Sequence, residues 1–262
     1  MKKILALLLV LAMAAFLFAS CDMRDTIIVG YTVYKPMNYE NDNGELVGFD
    51  TDLAKAVFED KLGYKVIFKE IKWDQKYLEL NSGTIDCIWN GFTANTADSD
   101  GIARSEKVDF SYNYMLNKQV VVMKSELAAT VTGFNSLAGK VGAVEVGSAG
   151  ATHRENLTGS VEKPCESQLD ALQNLTLGTA DFVVLDEQLA TAYIGKGDYT
   201  GFEIVSILSG DPEYYAIGFK KDSALTAEVN RALEELAADG TIDTIAKRYN
   251  LVTAITDYAD QK

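Results

Sequence analysis

The sequence predicts an α/β protein, and three observations carry that reading. Short apolar runs alternate with amphipathic stretches at helical spacing, the pattern of strand–helix–strand units over a largely parallel sheet. Beyond Lys118 the alternation starts again, so the 262 residues have room for two such units with cores of their own. Several apolar runs end in glycine, hydroxyl or carboxylate residues, and in such sheets ligands sit beyond the carboxyl ends of the strands.

The first twenty residues read as a processing signal. Lys2 and Lys3 form a basic start, and Ile4 to Phe18 an apolar run too short to span a bilayer comfortably. Phe18-Ala19-Ser20-Cys21 resembles a bacterial lipobox, with Phe18 where Leu is usual, so Cys21 is expected to open the mature chain and carry lipid. Stable anchoring takes more than one acyl chain. The alternative is an ordinary secretory signal with a coincidental cysteine. Residues 21–26 then serve as anchor and linker, and Asp22 to Thr26 reach at most about 18 Å, which keeps any folded domain near the membrane.

Apolar residues make up 48% and charged ones 24%, which suits a globular chain rather than a disordered one. The net charge of −14, with no basic cluster, points away from nucleic acid. No Cys/His cluster has metal-ligand spacing, so no metal or cofactor is expected.

The first strand is Ile27–Tyr31, followed by an irregular loop, Tyr34–Tyr39, and the hairpin signal Asn41-Asp42-Asn43-Gly44. Glu45–Phe49 returns as a short strand, and Asp50-Thr51-Asp52 opens a helix that Gly63 stops. Tyr64–Ile71 alternates like a strand, and Trp73–Leu80 is a short amphipathic helix. Ile85–Trp89 is an apolar strand that breaks into Asn90-Gly91-Phe92-Thr93, crosses a polar loop and delivers Arg104 ahead of Val108-Asp109-Phe110-Ser111. Glycine lets backbone approach a ligand and arginine matches a carboxylate, so this stretch is a plausible seat for a small anion.

Gln119–Met123 opens the second unit, and Val141–Val146 runs into Gly147-Ser148-Ala149-Gly150 and a helix. That turn reads either as an anion site or as a plain helix start. Gln168–Leu177 is a helix, and Ala180–Asp186 a strand whose terminal carboxylate is either a cap for the next helix or a partner for an ammonium group. Ile204–Leu208 and Tyr214–Phe219 read as strands, Leu225–Ala238 and Ile242–Tyr249 as helices. Cys87 reads as a small core residue, Cys165 as part of a loop after Pro164, and a bond between them is left open. His153 reads as a solvated helix position.

Taken together, these segments resemble the periplasmic-type solute-binding proteins of polar amino-acid ABC transporters, the family 3 extracellular solute-binding proteins. Pro36 with Asn43-Gly44-Glu45-Leu46-Val47-Gly48-Phe49-Asp50-Thr51-Asp52-Leu53 resembles the family's opening motif. Trp73-Asp74, Leu80 to Asp86, Gly139-Lys140-Val141-Gly142 with Gly147-Ser148, Ala180 to Asp186, and Val229 to Leu233 with Asp239-Gly240-Thr241 follow in the family's order.

The resemblance implies a two-lobe periplasmic-binding-protein fold, each lobe a mostly parallel sheet flanked by helices, closing about two hinge strands. Lobe one would comprise residues 27–114 and 215–262, lobe two 119–208. It further implies a lipid-anchored extracytoplasmic monomer that hands an amino acid to an ABC permease. By motif position, Arg104 pairs the ligand's α-carboxylate and Asp186 its α-ammonium. Gly91 and Thr93 contribute backbone and hydroxyl contacts, and Ser148 and Ala149 the lobe-two turn that helps hold the carboxylate. Tyr34 and Trp73 form side-chain walls, Glu145 faces the ligand side chain, and Tyr31 stands where relatives that bind cationic side chains often carry an acid.

The chain departs from the family pattern in three places: the additional run Ala97–Ala103 before Arg104, Ala149 in place of Thr, and Tyr31 itself. Glu145 between aromatic faces favours a polar or basic amino acid and disfavours an acidic one. Two other readings are a sensing subunit that signals through a separate membrane protein, and a cyclohexadienyl-dehydratase-type enzyme with Glu145 as general acid.

Overall fold

The computed structural model describes residues 25–261. The expected signal segment and lipidated Cys21 lie outside the described residues. No helix among those described is long and apolar enough to cross a membrane.

The first sheet has the order β4-β1-β5-β14-β6, built from β1 (Thr26–Tyr31), β4 (Lys65–Glu70), β5 (Cys87–Ile88), β6 (Asp109–Phe110) and β14 (Gly218–Phe219). The second has the order β10-β9-β11-β8-β12, from β8 (Gln119–Lys124), β9 (Val141–Glu145), β10 (Val161–Cys165), β11 (Phe182–Asp186) and β12 (Phe202–Ile204). In each sheet the strand next to the last runs antiparallel to its neighbours, β14 in one and β8 in the other. Both follow directly from the link between the lobes, so the chain enters each sheet from the end where the parallel strands finish. That end is the cleft.

The link pairs β7 (Met115–Asn117) with β13 (Glu213–Tyr215) in antiparallel register. The carboxyl-terminal segment lies alongside it: the Leu116 N–H donates to the Thr253 carbonyl at 2.9 Å and the Ile255 N–H to the Tyr114 carbonyl at 2.8 Å. Gln188 of the second lobe donates to both the Leu116 carbonyl and Thr253 Oγ1, at 3.0 Å each.

In the first lobe, the hairpin β2 (Tyr39–Glu40) and β3 (Leu46–Val47) leads to α1 (Phe49–Lys55), which continues as a π-helical turn to Lys61. Gly48 precedes α1 at φ 133°, and a Cβ there would lie 2.1 Å from the Met37 carbonyl oxygen, so only glycine fits. A 3₁₀ turn at Trp73–Gln75 leads into α2 (Lys76–Ser82), which ends at left-handed Gly83. The helices α6 (Ala224–Ala238) and α7 (Thr241–Arg248) complete the lobe; α6 buries Val229, Leu233 and Leu236. Truncating Leu233 or Leu236 to alanine is expected to cost about 2–5 kcal/mol.

The second lobe adds α3 (Ala149–Arg154), α4 (Gln168–Thr176) and α5 (Glu187–Tyr193). Four expectations need correcting. Pro164 and Cys165 belong to β10, not a loop; β10 is an edge strand, where a missing N–H does no harm. Within Ile204–Leu208 only Ile204 is strand, and Ser206–Leu208 is a 3₁₀ turn. The run Tyr214–Phe219 splits between β13 and β14 because the chain leaves the hinge and enters the first sheet there. His153 is buried rather than solvated: it shares the inward face of α3 with Ala149 four residues earlier, and its Nε2 lies 2.8 Å from the Leu208 carbonyl oxygen. Both Cys87 and Cys165 are buried free thiols.

Candidate functional site

Residues that follow β5 and end β9 and β11 converge between the lobes on a narrow cavity of about 10 Å3. Of the residues expected at the site, Trp73, Gly91, Thr93, Arg104, Glu145, Ser148, Ala149 and Asp186 line it; Asn90 and Gln168 join them. Tyr31 and Tyr34 do not line this cavity. Tyr31 packs edge-on against Phe68, and Tyr34 lies beneath Gly91 with its hydroxyl 2.7 Å from that of Tyr215.

Arg104 reaches the cavity although the loop before it is long. Ala97 bridges Ala103, and the Asp98 N–H donates to the Ile102 carbonyl at 3.1 Å, so residues 97–103 close on themselves as a small hairpin. The guanidinium is 1% exposed. Its Nε donates to Asp98 Oδ1 at 2.8 Å, Nη1 to the Thr93 carbonyl at 3.2 Å, and Nη2 at 3.5 Å towards the Gly147 carbonyl of the other lobe.

Gly91 sits at φ 56°, where an added Cβ would meet the Tyr34 ring at 2.7 Å. Its N–H already donates to Asp50 Oδ2 at 2.8 Å, an oxygen that also accepts from the Tyr114 hydroxyl at 2.9 Å. The Gly91 contact open to a ligand is therefore its carbonyl. Burial holds the Asp50 carboxyl up at about 7 despite both donors.

Asp186 precedes α5 yet makes no capping bond. Its Oδ1 accepts from Asn117 at 2.7 Å and Gln119 at 2.6 Å, and its Oδ2 from Gln168 at 2.5 Å. Burial raises its carboxyl above the ordinary range even against these three donors. Asp186 therefore lines the cavity and does not cap α5.

Glu213 was not expected at the site. It lies on hinge strand β13, and its Oε2 accepts from Gln119 at 2.9 Å, from the Thr93 hydroxyl at 3.2 Å and from Asn117 at 3.3 Å. Burial, then the charge of Asp186, raises it to about 7. The only trace in the sequence is an acid directly before the apolar run Tyr214–Phe219.

Glu145 is 3% exposed, and among the described residues its carboxylate accepts no hydrogen bond. Burial, then repulsion from Asp186, lifts it to about 8, with Lys76 and Arg104 pulling the other way. Lys76 was also missed. It is 2% exposed and has no acid within ion-pair distance among the described residues. Its Nζ donates to the Gly147 carbonyl at 3.0 Å and the Trp73 carbonyl at 3.3 Å, and lies 4.8 Å from the ring centres of both Trp73 and Tyr77. Burial, then the charge of Arg104, lowers it to about 7.

The charge balance follows from these contacts. Arg104 is already matched by Asp98, while Glu145 and Asp186 bring two carboxyl groups to the cavity wall, and Glu213 and Lys76 are buried behind it.

Two α/β lobes on a paired-strand hinge, closed over a buried charged cavity, define a solute-binding protein of the periplasmic-binding-protein fold. The chain belongs to the bacterial extracellular solute-binding proteins, family 3, whose model matches residues 27–252. It is 28% identical over 262 residues to the arginine-binding extracellular protein ArtP of Bacillus subtilis (strain 168), covering 95% of this chain and 98% of that one. The solved structure of an ancestral arginine-binding protein bound to arginine is similar with a TM-score of 0.77 and 34% identity, covering 87% of this chain and 99% of the other. The ancestral amino acid-binding protein AncCDT-1, a precursor of cyclohexadienyl dehydratase, is similar with a TM-score of 0.75 and 29% identity, covering 86% and 95%.

Proposed function

We propose that this protein captures an amino acid, preferentially one with a basic side chain, and presents it to an ABC importer. The observation that carries the reading is the pair Glu145 and Asp186, two buried carboxylates on one cavity that also receives Arg104. A zwitterion leaves water at a net gain only if both its charges are matched. Arg104 would take the α-carboxylate through its Nη groups, with the Ala149 N–H beside it and the Thr93 hydroxyl once its proton turns from Glu213 to the ligand. Asp186 and the Gly91 carbonyl would take the α-ammonium, and Glu145 the cation of the side chain along the wall formed by Trp73. The closed cavity requires the lobes to part before a ligand gets in.

The family supports an extracytoplasmic location. Lipid attachment at Cys21, a signal segment over residues 1–20, a monomeric state and docking on a membrane permease complete the proposal. The binding specificities named for ArtP and for the arginine-bound ancestral protein favour a basic ligand.

Glu145 also supports a second reading. A carboxyl that keeps its proton near neutral pH is what a general acid requires, and the likeness to AncCDT-1 fits that use. The zwitterion-matched arrangement of Arg104 and Asp186 favours binding without turnover.

A thermal-shift screen of the delipidated protein against the twenty amino acids, cystine and ornithine tests the proposal. A clear rise in melting temperature with arginine, lysine, histidine or ornithine is the expected result. No shift with any of them overturns it, and product formed from a cyclohexadienyl substrate would replace it with the enzyme reading.

A further inference from the structure

The run Ala97–Ala103, which departs from the family pattern, supplies the residue that aims the arginine. We propose that Asp98 is a positioning residue for recognition of the ligand's α-carboxylate: it holds Arg104 by Nε, so that only the Nη edge is presented to the cavity. This inference rests on the amino-acid reading of the site.

A guanidinium can meet a carboxylate side-on, through Nε and one Nη, or end-on, through both Nη groups. In this protein the side-on edge is occupied, because Nε donates to Asp98 Oδ1 at 2.8 Å. Asp98 is itself fixed from two other elements. Its Oδ2 accepts from the Tyr77 hydroxyl of α2 at 2.7 Å and from Lys107 Nζ, in the helical turn Arg104–Lys107, at 2.8 Å. Its backbone closes the turn, accepting from the Gly101 N–H at 2.9 Å. The Asp98 side chain is 10% exposed, and the arginine it holds is almost wholly buried.

A buried guanidinium without a partner carries a large desolvation penalty. Asp98 removes that penalty before any ligand arrives, so Arg104 stays buried and aimed in the closed form described here. The ligand then meets a preorganised fork instead of ordering a flexible side chain. The added loop is in this respect part of the binding machinery, although Asp98 lines no part of the cavity.

The test compares arginine with argininamide, which keeps both cationic groups and replaces the α-carboxylate by a neutral amide. Affinities are measured by calorimetry on the wild type, Asp98→Asn and Asp98→Ala, each over the full mature chain. The wild type is expected to prefer arginine by about a hundredfold or more, and Asp98→Ala to lose about tenfold or more of that preference, with argininamide affinity held within about threefold. Asp98→Asn keeps an acceptor for Nε and is expected to retain most of the preference. Equal losses for both ligands in Asp98→Ala, or an unchanged preference, overturn the positioning role. Should Asp98→Ala not fold, Tyr77→Phe removes one of the donors that fix Asp98 and must narrow the preference in the same sense; an unchanged preference there overturns the role equally. A wild type that binds arginine no better than argininamide overturns instead the reading of Arg104 as the carboxylate partner, and this proposal falls with it.

Discussion

Lys76 Nζ of one lobe donates to the Gly147 carbonyl of the other at 3.0 Å, a bond made inside the closed cleft. The same carbonyl receives Arg104 Nη2 at 3.5 Å, and it directly precedes Ser148 and Ala149 on the cavity wall. Lys72 and Glu166 also bridge the lobes, at 3.3 Å, but both are largely exposed. An exposed pair contributes about 0–1 kcal/mol, whereas a hydrogen bond from a buried charged group is worth about 1.5–3 kcal/mol. Lys76 is therefore expected to contribute more to keeping the cleft shut than the exposed Lys72–Glu166 pair.

Replacing Lys76 by methionine keeps most of the side-chain volume and removes the donor. The expected outcome is a loss of affinity of about tenfold, shared by every ligand and expressed as faster dissociation. Stopped-flow dissociation rates check this. A changed preference among ligands with unchanged dissociation would assign Lys76 to ligand contact instead.

Ligand binding should release protons. Glu145 sits at about 8 in the closed, ligand-free form described here and must ionise to pair with a cationic side chain. Affinity for arginine is accordingly expected to rise as pH increases from about 6 towards 8, by up to about tenfold per unit, and then to level off. Lys76, lowered to about 7 in the closed form and wetter when the cleft opens, loses a proton on closure above that pH and acts in the same direction. Calorimetry in buffers of different ionisation enthalpy measures the protons released. Glu145→Gln should weaken arginine about tenfold or more relative to glutamine and remove most of the dependence below pH 8. Equal loss for both amino acids would contradict a selective role.

Stability of the ligand-free protein should run against the usual acid trend between about pH 4.5 and 7. Asp50 and Glu213 are raised to about 7 and Glu145 to about 8, so over this window the folded state holds protons that the unfolded chain has released. Unfolding free energy then falls as pH rises through the window, with the folded state favoured most at its acid end. The expected result is a higher melting temperature at pH 5 than at pH 7, and a flatter profile in Asp50→Asn. A melting temperature that rises across the window would show that other groups dominate.

Much of the site was legible from local sequence. Gly91 and Thr93 sit where a strand breaks into a turn, Arg104 opens a helical turn beyond the polar loop, and Asp186 ends another strand, so short-range chemistry was enough to propose them. Glu213 escaped because its position depends on the hinge: β13 brings it to Asp186 only through Asn117 and Gln119 on the adjoining segment. Lys76 and His153 were hidden for a related reason. Each occupies an ordinary helical position and is buried by something distant in sequence, Lys76 by the opposite lobe and His153 by the Leu208 turn. Tyr34 was placed at the wall by motif alone, but glycine at position 91 lets its ring slip underneath. The edge strand β10 carries Pro164, a residue that discourages a strand reading until the partner on one side only is known.

Arg104 is proposed to receive an amino-acid carboxylate in this cleft. Calorimetric titration of arginine into the ligand-free mature protein, and into Arg104→Ala, tests it most directly. The expected result is one site at micromolar affinity or better, about −8 kcal/mol, in the wild type, and a loss of about 2–5 kcal/mol in a folded Arg104→Ala. Arginine affinity that survives in Arg104→Ala to within about tenfold of the wild type would contradict it.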